Sequence, residues 1–262
     1  MSAGARRITS ADNPLVKELV RLAGSRERRR AGLCILDGPH LVAAYAQGGA
    51  SAEALVASDS GMERAEIREL FERVPARDRV ILSDRLFAQA ATVTTPVGIL
   101  ACVRVPAAAT LPERIGDCVM LDAIQDAGNV GSILRSAAAA GFERVAALRS
   151  CAFFWSGRVL RAAMGAHFSL RLHEGLDADV LERCDAQILA ATGAGESTLY
   201  ELDLRAPTVW IFGNEGAGVE PRLLARAHRR VRIPIAASTE SLNVAAAAAI
   251  CLFEQLRQRR VQ

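Results

Sequence analysis

The sequence predicts an α/β protein with two domains. Short apolar stretches alternate with helical segments along the whole chain, and a stretch rich in proline and alanine separates two such series. The 262 residues, of which 51% are hydrophobic and 23% charged, are enough for two buried cores. We therefore expect a first domain over residues 1–103, a linker over 104–116 and a second domain over 117–262.

The first domain is predicted to be a small α/β unit. Leu15, Leu19 and Leu22 share one side of a helix predicted over residues 14–31. The further predicted strands are 33–37, 54–57, 79–82 and 98–103, and the further predicted helices are 40–47, 63–73 and 86–91. Residues 1–31 carry eight basic and three acidic side chains. This excess favours a polyanion such as RNA, although a solvated helix face has the same composition.

The second domain repeats the alternation with more strongly apolar strands. The predicted strands are 118–124, 144–148, 168–172, 187–191, 208–212 and 231–235, and the predicted helices are 129–140, 157–163, 176–183, 220–227 and 242–258. Apolar strands separated by helices indicate a mostly parallel sheet covered on both faces. Ligands of such sheets bind where the carboxyl ends of the strands open into loops.

Composition argues against several classes of protein. Apolar runs stay shorter than the roughly 20 residues of a membrane span, and the N-terminal residues lack the apolar core of a secretory signal. We therefore expect a cytoplasmic protein without a membrane partner. The six cysteines form no C-x-x-C pair and the four histidines form no H-E-x-x-H motif, so no metal site is predicted. The cysteines are predicted to be reduced and mostly buried.

A stretch near the end of the chain is typical of a strand, a loop and a helix that together bind a ligand. Residues 232–250 begin as an apolar strand, continue as a polar loop and lead into an alanine-rich helix. Ser241 stands where it would cap the first turn of that helix. An ordinary connection between a strand and a helix has the same pattern.

A strand, a glycine turn and a helix are also predicted over residues 121–137. The apolar side chains of this helix form one stripe, and Arg135 lies outside it. An arginine in that position either reaches a phosphate or ribose, or is simply solvated. Asn129, at the start of the helix, either belongs to a site or only caps the helix.

A third pattern, residues 208–218, is a buried strand that ends in a loop with three glycines. Glycines let the backbone approach a ligand closely. The loop matches neither the Walker motif nor G-x-G-x-x-G, and Glu215 in its middle would repel a pyrophosphate. It therefore suits a nucleoside-like or cationic ligand, such as a sulfonium cofactor. Residues 192–196 form a similar strand end.

Three segments, in this order and spacing, resemble the motifs of the SpoU family of RNA ribose 2′-O-methyltransferases in the SPOUT superfamily. They read D-A-G-N-V-G-S-I-L-R-S-A, W-I-F-G-N-E-G-A-G and I-P-I-A-A-S-T-E-S-L-N-V-A. Residues 10–17, 36–42 and 95–101 are similar to the family's substrate-binding module, an α/β unit like ribosomal protein L30e. The resemblance covers nearly the whole chain.

The resemblance implies a C-terminal SPOUT α/β trefoil-knot methyltransferase domain and a smaller N-terminal L30e-like α/β domain. It also implies S-adenosyl-L-methionine as cofactor, RNA as substrate and a homodimer with the site near the interface. Matching positions assign cofactor contacts, largely through backbone groups, to Thr192, Gly193, Gly213, Ile233 and Leu242. Matching positions assign RNA-handling and catalytic roles to Asn129, Arg135, Glu215, Ser241 and Asn243.

The chain departs from the family pattern at four positions. These are Ala127 in place of proline, Ile235 in place of methionine, Ala245 in place of serine and Asp37 in place of glutamate. The polar residues of the three motifs are all present, so the family's activity is still expected.

The reaction that the resemblance implies is an in-line attack of a ribose 2′-oxygen on the cofactor methyl group, with positioning as the main source of acceleration. Arg135 is the family's candidate base, but a pKa above about 12 makes its deprotonation costly. We therefore hypothesise that Arg135 holds the ribose and the adjacent phosphate and stabilises the developing alkoxide. In this hypothesis Asn129 and Glu215 orient Arg135, while Ser241 and Asn243 order the loop.

The two-domain layout resembles the ribosomal RNA enzymes of the family more than its tRNA enzymes, so a nucleotide of 23S rRNA is the predicted substrate. A tRNA ribose 2′-O-methyltransferase and an antibiotic-resistance methylase are alternatives within the family. A non-catalytic RNA-binding dimer is an alternative from another class, and the retained polar residues of the motifs argue against it. A nucleotide-dependent dehydrogenase would need the G-x-G-x-x-G motif, which is missing.

Overall fold

A computed structural model describes residues 4–107, 111–112 and 114–260 of the chain. The chain divides into two compact units, one of Met1–Ala107 with Trp155–Phe168 and the other of Ala108–Phe154 with Ser169–Gln262. Both units are α/β, as predicted. The domain boundaries given above stay a prediction, and the predicted linker falls partly on residues 108–110 and 113, which lie outside the described residues.

The first unit is built on a five-stranded sheet in the order β1-β4-β3-β5-β2. Its elements are β1 (Arg6–Ile8), α1 (Pro14–Arg21), α2 (Ser25–Ala31), β2 (Leu33–Asp37), α3 (Pro39–Gln47), β3 (Ala52–Ser58), α4 (Asp59–Glu63), α5 (Ala65–Arg73), β4 (Ala76–Leu82), α6 (Asp84–Ala90) and β5 (Ile99–Arg104). Strands β1, β3 and β4 are parallel, and β5 runs antiparallel to β2 and β3. Strand β1 was not predicted because two of its three residues are exposed arginines.

The prediction of one continuous helix over residues 14–31 is wrong. Helix α1 ends at Arg21, and α2 begins at Ser25. Gly24 between them adopts an extended conformation at the N-cap of α2. Glycine is a poor helix residue, and here it separates the leucine stripe of α1 from the arginines of α2.

The second unit contains a seven-stranded sheet in the order β10-β12-β9-β11-β6-β7-β8. The elements after the first sheet are β6 (Cys118–Leu121), α7 (Ala127–Ala139), β7 (Arg144–Leu148), α8 (Gly157–Ala163), β8 (Arg171–Leu176), β9 (Gln187–Ala191), β10 (Ser197–Thr198), β11 (Thr208–Phe212), α9 (Pro221–Arg226), β12 (Arg229–Arg232) and α10 (Val244–Arg260). All six pairs of neighbouring strands are parallel, which confirms the predicted parallel sheet.

Several predicted bounds in the second unit are wrong. A strand was predicted over 168–172, but the chain forms a 3₁₀ turn at Ala166–Phe168 and β8 starts only at Arg171. The α-helix predicted over 176–183 is a 3₁₀ helix at Ala178–Arg183. Strand β12 ends at Arg232 instead of residue 235. Pro234 explains the last difference because proline has no N–H to donate to a strand ladder. Strand β10 was missed because it has only two residues.

Helix α8 belongs to the first unit, although it follows β7 in the chain. Arg28 of α2 holds the start of this segment: its Nη1 donates a hydrogen bond to the carbonyl of Trp155 at 3.3 Å, and its Nε donates to the carbonyl of Leu22. Arg28 is fully buried, and burial lowers its pKa. The basic N-terminal face predicted from composition therefore lacks this arginine.

Helices α7 and α10 of the second unit pack against each other. Ala245 and Ala248 are buried in α10, and such small side chains allow another element to approach closely. Trp210 of β11 donates a hydrogen bond to Gln255 of α10 at 2.6 Å, which ties this helix to the sheet. Helix α7 follows the carboxyl end of β6 after a short loop, so its start lies at that end of the sheet.

All six cysteines are free thiols and four of them are buried, which confirms the predicted thiol state. Burial raises the pKa of Cys34 to about 12. In the described ranges, every helix is too short or too polar to cross a bilayer.

Candidate active site

Three loops of the second unit meet at the carboxylate of Glu215, which follows β11. Asn129 of α7 donates from Nδ2 to Glu215 Oε1 at 2.9 Å, and Asn243, just before α10, donates from Nδ2 to the same oxygen at 2.8 Å. Asn243 Nδ2 also donates to Asn129 Oδ1 at 2.9 Å, and the backbone N–H of Val244 donates to Glu215 Oε1 at 3.4 Å. The structure therefore brings together residues from all three patterns that the sequence singled out.

The loop that carries Glu215 is held by its own hydrogen bonds. Asn214 and Gly218 exchange two backbone hydrogen bonds, and Asn214 Oδ1 accepts from the N–H groups of Gly216 and Ala217 at 2.9 and 3.0 Å. Gly213 lies so close to Gly218 that a Cβ on residue 213 would be 2.4 Å from the carbonyl carbon of Gly218. The loop can therefore form only with glycine at position 213.

The end of β6 anchors this loop. Asp122 Oδ2 accepts a hydrogen bond from the backbone N–H of Glu220 at 2.7 Å, and Asn214 Nδ2 donates to the carbonyl of Ala123 at 3.0 Å. Ala123 has φ of +53°, an unfavourable conformation for a residue other than glycine. Asp122 is buried, and this burial raises its pKa. Two contacts thus hold the loop with Glu215 against the strand that leads into α7.

Asn129 has its side chain available for the site because another residue caps α7. Asp126 is the N-cap, and its Oδ1 accepts from the backbone N–H of Asn129 at 2.7 Å. The interpretation of Asn129 as a mere helix cap is therefore wrong.

Asn243 caps α10. Its Oδ1 accepts from the N–H groups of Ala245 at 3.0 Å and Ala246 at 3.2 Å. The prediction that Ser241 caps this helix is wrong, because the helix begins at Val244 and Ser241 is exposed in the preceding loop. Asn243 thus caps the helix through its oxygen and binds Glu215 through its nitrogen.

A cleft of about 210 Å³ opens beside Glu215, next to the carboxyl ends of β9, β11 and β12. The five residues predicted to contact a cofactor all line it, namely Thr192, Gly193, Gly213, Ile233 and Leu242. Glu215 and Ser241 also line it, whereas Asn129, Arg135 and Asn243 are outside its lining.

Arg135 is exposed on α7, as its position outside the apolar stripe predicted. No hydrogen bond or ion pair to another described residue involves its guanidinium. Asn129 and Glu215 bond to each other, and neither is bonded to Arg135. The hypothesis that these two side chains orient Arg135 thus has no hydrogen bond in its favour.

The lining of the cleft suits a nucleoside that carries a positive charge. Ile233, Ile235 and Leu242 provide apolar surface, and Glu215 and Glu240 provide two carboxylates. The described lining includes no lysine, arginine or histidine, so a phosphate-rich ligand would meet two carboxylates and no cationic side chain. S-adenosyl-L-methionine, a nucleoside with a sulfonium group, fits this set of residues. In the described ranges, no three His, Cys, Asp or Glu side chains are grouped so as to bind a metal ion.

Sequence reasoning missed four residues that the geometry makes part of the site. Asp122 and Asn214 anchor the loop, Ala123 accepts from Asn214, and Glu240 lines the cleft. The strand predicted over 118–124 is wrong at its end: β6 stops at Leu121, which leaves Asp122 at the carboxyl end of the strand, where ligands bind in parallel sheets. The roles of the others depend on contacts that local sequence does not encode.

Comparison with known families matches both parts of the chain. Residues 117–253 match the model of the SpoU rRNA Methylase family. Residues 13–101 match the MRM3-like substrate binding domain.

Individual relatives match over nearly the whole chain. An uncharacterized tRNA/rRNA methyltransferase of Synechocystis sp. is 33% identical, with coverage of 96% of this chain and 94% of the relative. A 23S rRNA guanosine 2′-O-methyltransferase of Bacillus subtilis is 28% identical, with coverage of 95% and 98%. The crystal structure of the SpoU methyltransferase AviRb from Streptomyces viridochromogenes, in complex with AdoMet, has a TM-score of 0.84 at 25% identity and covers 94% of this chain and 98% of its own.

Proposed function

The chain belongs to the SpoU rRNA Methylase family, and from this membership we propose that it methylates a ribose 2′-hydroxyl of 23S rRNA with S-adenosyl-L-methionine as the methyl donor. The observation that carries the proposal is the hydrogen-bonded group of Asn129, Glu215 and Asn243 beside a cleft whose described lining has no cationic side chain. Three separate motifs supply this group, and each of its contacts is within hydrogen-bond distance.

The residues of the cleft fit the methyl donor. Thr192, Gly193 and Gly213 would hold it through backbone groups, while Ile233 and Leu242 would contact it through apolar side chains. When bound, S-adenosyl-L-methionine supplies a methyl group on a positively charged sulfur atom. The sulfur is a good leaving group because it becomes a neutral thioether when the methyl group is transferred. The glycines of the cleft let the ligand approach the backbone closely. Ile233 and Leu242 provide apolar contact, and the carboxylates of Glu215 and Glu240 provide negative charge.

Arg135 is the residue assigned to the RNA. An exposed guanidinium that bonds to none of the residues described in the structure can bind the phosphate and the ribose of a nucleotide bidentately. Such a contact positions the 2′-oxygen and stabilises the negative charge that develops on it. Glu215 and the two asparagines hold the adjacent loops in place, while Ser241 lies on the rim of the cleft.

The assignment to 23S rRNA rests on relatives that span both units. The Bacillus subtilis relative modifies guanosine, and a relative of Streptomyces viridochromogenes, 29% identical over 97% of this chain, modifies uridine, both in 23S rRNA. A solved structure concerned with 2-OH methylation on tRNA covers only 55% of this chain, at a TM-score of 0.51. This difference favours rRNA over tRNA and leaves the base open. Residues 13–101, which match a substrate-binding domain, are the proposed second RNA contact.

A homodimer is part of the proposal. Along α10, Ala246, Ala249, Ile250, Phe253 and Leu256 form an apolar stripe of half-buried and exposed side chains. Phe253 is 45% exposed in the single chain. A second copy that packs on this stripe would bury it.

A trefoil knot and a cytoplasmic location complete the proposal. The knot is what the family resemblance implies, and one close approach between distant segments supports it: Gly195, after β9, lies so near β12 that an added Cβ would be 2.5 Å from the backbone nitrogen of Arg232. The cytoplasm is the proposed compartment because the enzyme must meet its rRNA substrate.

The proposal is tested by incubating the protein with methyl-labelled donor and total RNA from cells that lack the gene. We expect label at a single 2′-oxygen of 23S rRNA, mapped by resistance to alkaline cleavage. Label on a base, or only on tRNA, would contradict the proposal. An RNA-binding protein without catalysis, the alternative from another class, would bind rRNA and show no heat of binding in a titration with the donor.

A further inference from the structure

Glu240 is a second carboxylate in the lining of the cleft, and the proposed reaction has so far given it no role. Glu215 Oε1 already accepts from Asn129, Asn243 and Val244. The Glu240 carboxylate, in contrast, takes part in no hydrogen bond or ion pair with another residue that the structure describes. Its charge is therefore available to a ligand.

Glu240 is exposed in the single chain, and its charge becomes effective toward a cation when a ligand fills the cleft beside it. The described lining of the cleft includes no lysine, arginine or histidine that would neutralise it. Ile235 and Leu242 lie close to it in sequence and line the same cleft with apolar side chains, which lowers the local dielectric constant once a ligand displaces water. Ile235 is 40% exposed, so a ligand in the cleft would also cover apolar surface.

The loop that carries Glu240 contains one hydrogen-bonded turn and ends at a fixed residue. Its start follows β12, and a backbone hydrogen bond from Thr239 N to Ala236 O at 3.0 Å closes a turn just before Glu240. Its end is Asn243, which caps α10 and binds Glu215. Glu240 is thus three residues from a fixed point of the active site.

We propose that Glu240 is a cofactor-binding residue whose carboxylate pairs with a positively charged group of the methyl donor. This inference rests on the proposed function. S-adenosyl-L-methionine carries two such groups, the sulfonium and the α-ammonium, whereas its product S-adenosylhomocysteine keeps only the ammonium. A carboxylate facing the sulfonium would make the cleft prefer the donor over the spent product. A carboxylate facing the ammonium would strengthen the binding of both.

The test is a calorimetric titration of the full-length protein and its Glu240→Gln variant with S-adenosyl-L-methionine and with S-adenosylhomocysteine. Glutamine keeps the size of the side chain and removes its charge. We expect the variant to bind the donor about tenfold more weakly, the change that corresponds to about 1.4 kcal/mol for one charge-assisted contact. Unchanged binding of S-adenosylhomocysteine would place the carboxylate at the sulfonium, and an equal loss would place it at the ammonium.

Glu201→Gln is the matched control, because Glu201 is an exposed glutamate of the same unit outside the lining of the cleft. It removes the same charge and should leave both affinities unchanged. The inference would be overturned if the Glu240→Gln variant had a normal melting curve and bound the donor with an affinity within twofold of that of the unmodified protein. Failure of the unmodified protein to bind the donor would instead count against the proposed function, so the two failures are distinguishable.

Discussion

Asn243 donates from Nδ2 to Glu215 Oε1 at 2.8 Å while its Oδ1 caps α10. One side chain therefore connects the start of a helix to the glycine loop after β11. Because the two contacts use different atoms, a substitution can remove one and keep the other.

Asn243→Asp is the first such substitution. Aspartate is as good an N-cap as asparagine, so α10 should keep its cap. The new carboxylate would face Glu215 Oε1 without a donor, and the repulsion should displace the loop. We expect kcat to fall about 100-fold, a typical loss for one misplaced polar group in an active site, with a smaller effect on the melting temperature. Part of the activity should return at lower pH, where the two carboxylates share a proton.

Asn243→Ser is the control for this experiment, since serine keeps a capping oxygen and adds no charge. It should lose activity without gaining the pH dependence. Equal activity of Asn243→Asp and the unmodified enzyme in single-turnover assays would show that the contact with Glu215 is dispensable.

Arg135→Lys tests the role of the guanidinium. Lysine keeps the positive charge but lacks the planar pair of donors that binds a phosphate or ribose bidentately. We expect a fall in kcat of about 10- to 100-fold with unchanged affinity for the methyl donor. The melting temperature should stay the same because Arg135 is exposed and has no partner in the described part of the chain. Near-normal methylation by the lysine variant would refute a role for the planar group.

Gly213→Ala and Gly193→Ala form a matched pair in one cleft. A Cβ at 213 would lie 2.4 Å from the Gly218 backbone, whereas a Cβ at 193 would have no atom within 4 Å. We expect the free energy of unfolding to fall by about 2–4 kcal/mol for Gly213→Ala, because the backbone must shift. For Gly193→Ala it should change by less than about 0.5 kcal/mol. Urea unfolding measures both, and equal stabilities would contradict the close approach at 213.

Much of the second unit is predictable from the sequence because its information is local. The apolar runs of β7, β9 and β11 mark their strands, and Asn129, Glu215 and Asn243 each stand in a recognisable motif. Arg28 shows the limit of this reasoning. It stands in a run of arginines that is typical of an exposed segment, yet it is buried and donates to the carbonyls of Leu22 and Trp155.

The hydrogen bond from Glu220 N to Asp122 Oδ2, which anchors the glycine loop, could not be predicted from local sequence either. Asp122 and Glu220 are 98 residues apart, and their contact exists only because β6 and β11 are neighbours in the sheet. The left-handed backbone of Ala123 is equally a result of packing, since alanine has no preference for it. Local pattern thus identifies the residues that face the ligand better than the residues that hold them in place.

Asp122→Asn should change how stability depends on pH. Burial raises the pKa of Asp122 above the ordinary carboxyl value of 3.8, so the folded chain holds this proton more tightly than the unfolded chain. The stability that protonation contributes is therefore complete below pH 3.8 and is lost as pH rises through the raised folded-state pKa. Asparagine does not titrate, so the variant should gain stability relative to the unmodified protein across that range.

Asp203→Asn is the control of opposite sign. The Arg205 guanidinium holds the pKa of Asp203 well below its usual range, so its contribution is present at neutral pH and is lost on acidification. Chemical unfolding at several pH values should show opposite trends for the two variants. Parallel trends would mean that folding lowers the pKa of Asp122, and the absence of a trend for Asp122→Asn would mean that folding leaves this pKa unchanged.

Phe253→Glu tests the proposed dimer. Phe253 is 45% exposed in the middle of the apolar stripe of α10, and a charge there could be buried in an interface only at high cost. We expect the unmodified protein to have the mass of a dimer in light scattering after gel filtration, and the variant to have the mass of a monomer. Phe253→Leu is the control, because it keeps an apolar side chain and should stay dimeric. If the proposed dimer places the site near its interface, the monomeric variant should also lose methyl transfer while keeping its helical circular dichroism signal. A glutamate variant that remains a dimer would place the interface on another surface.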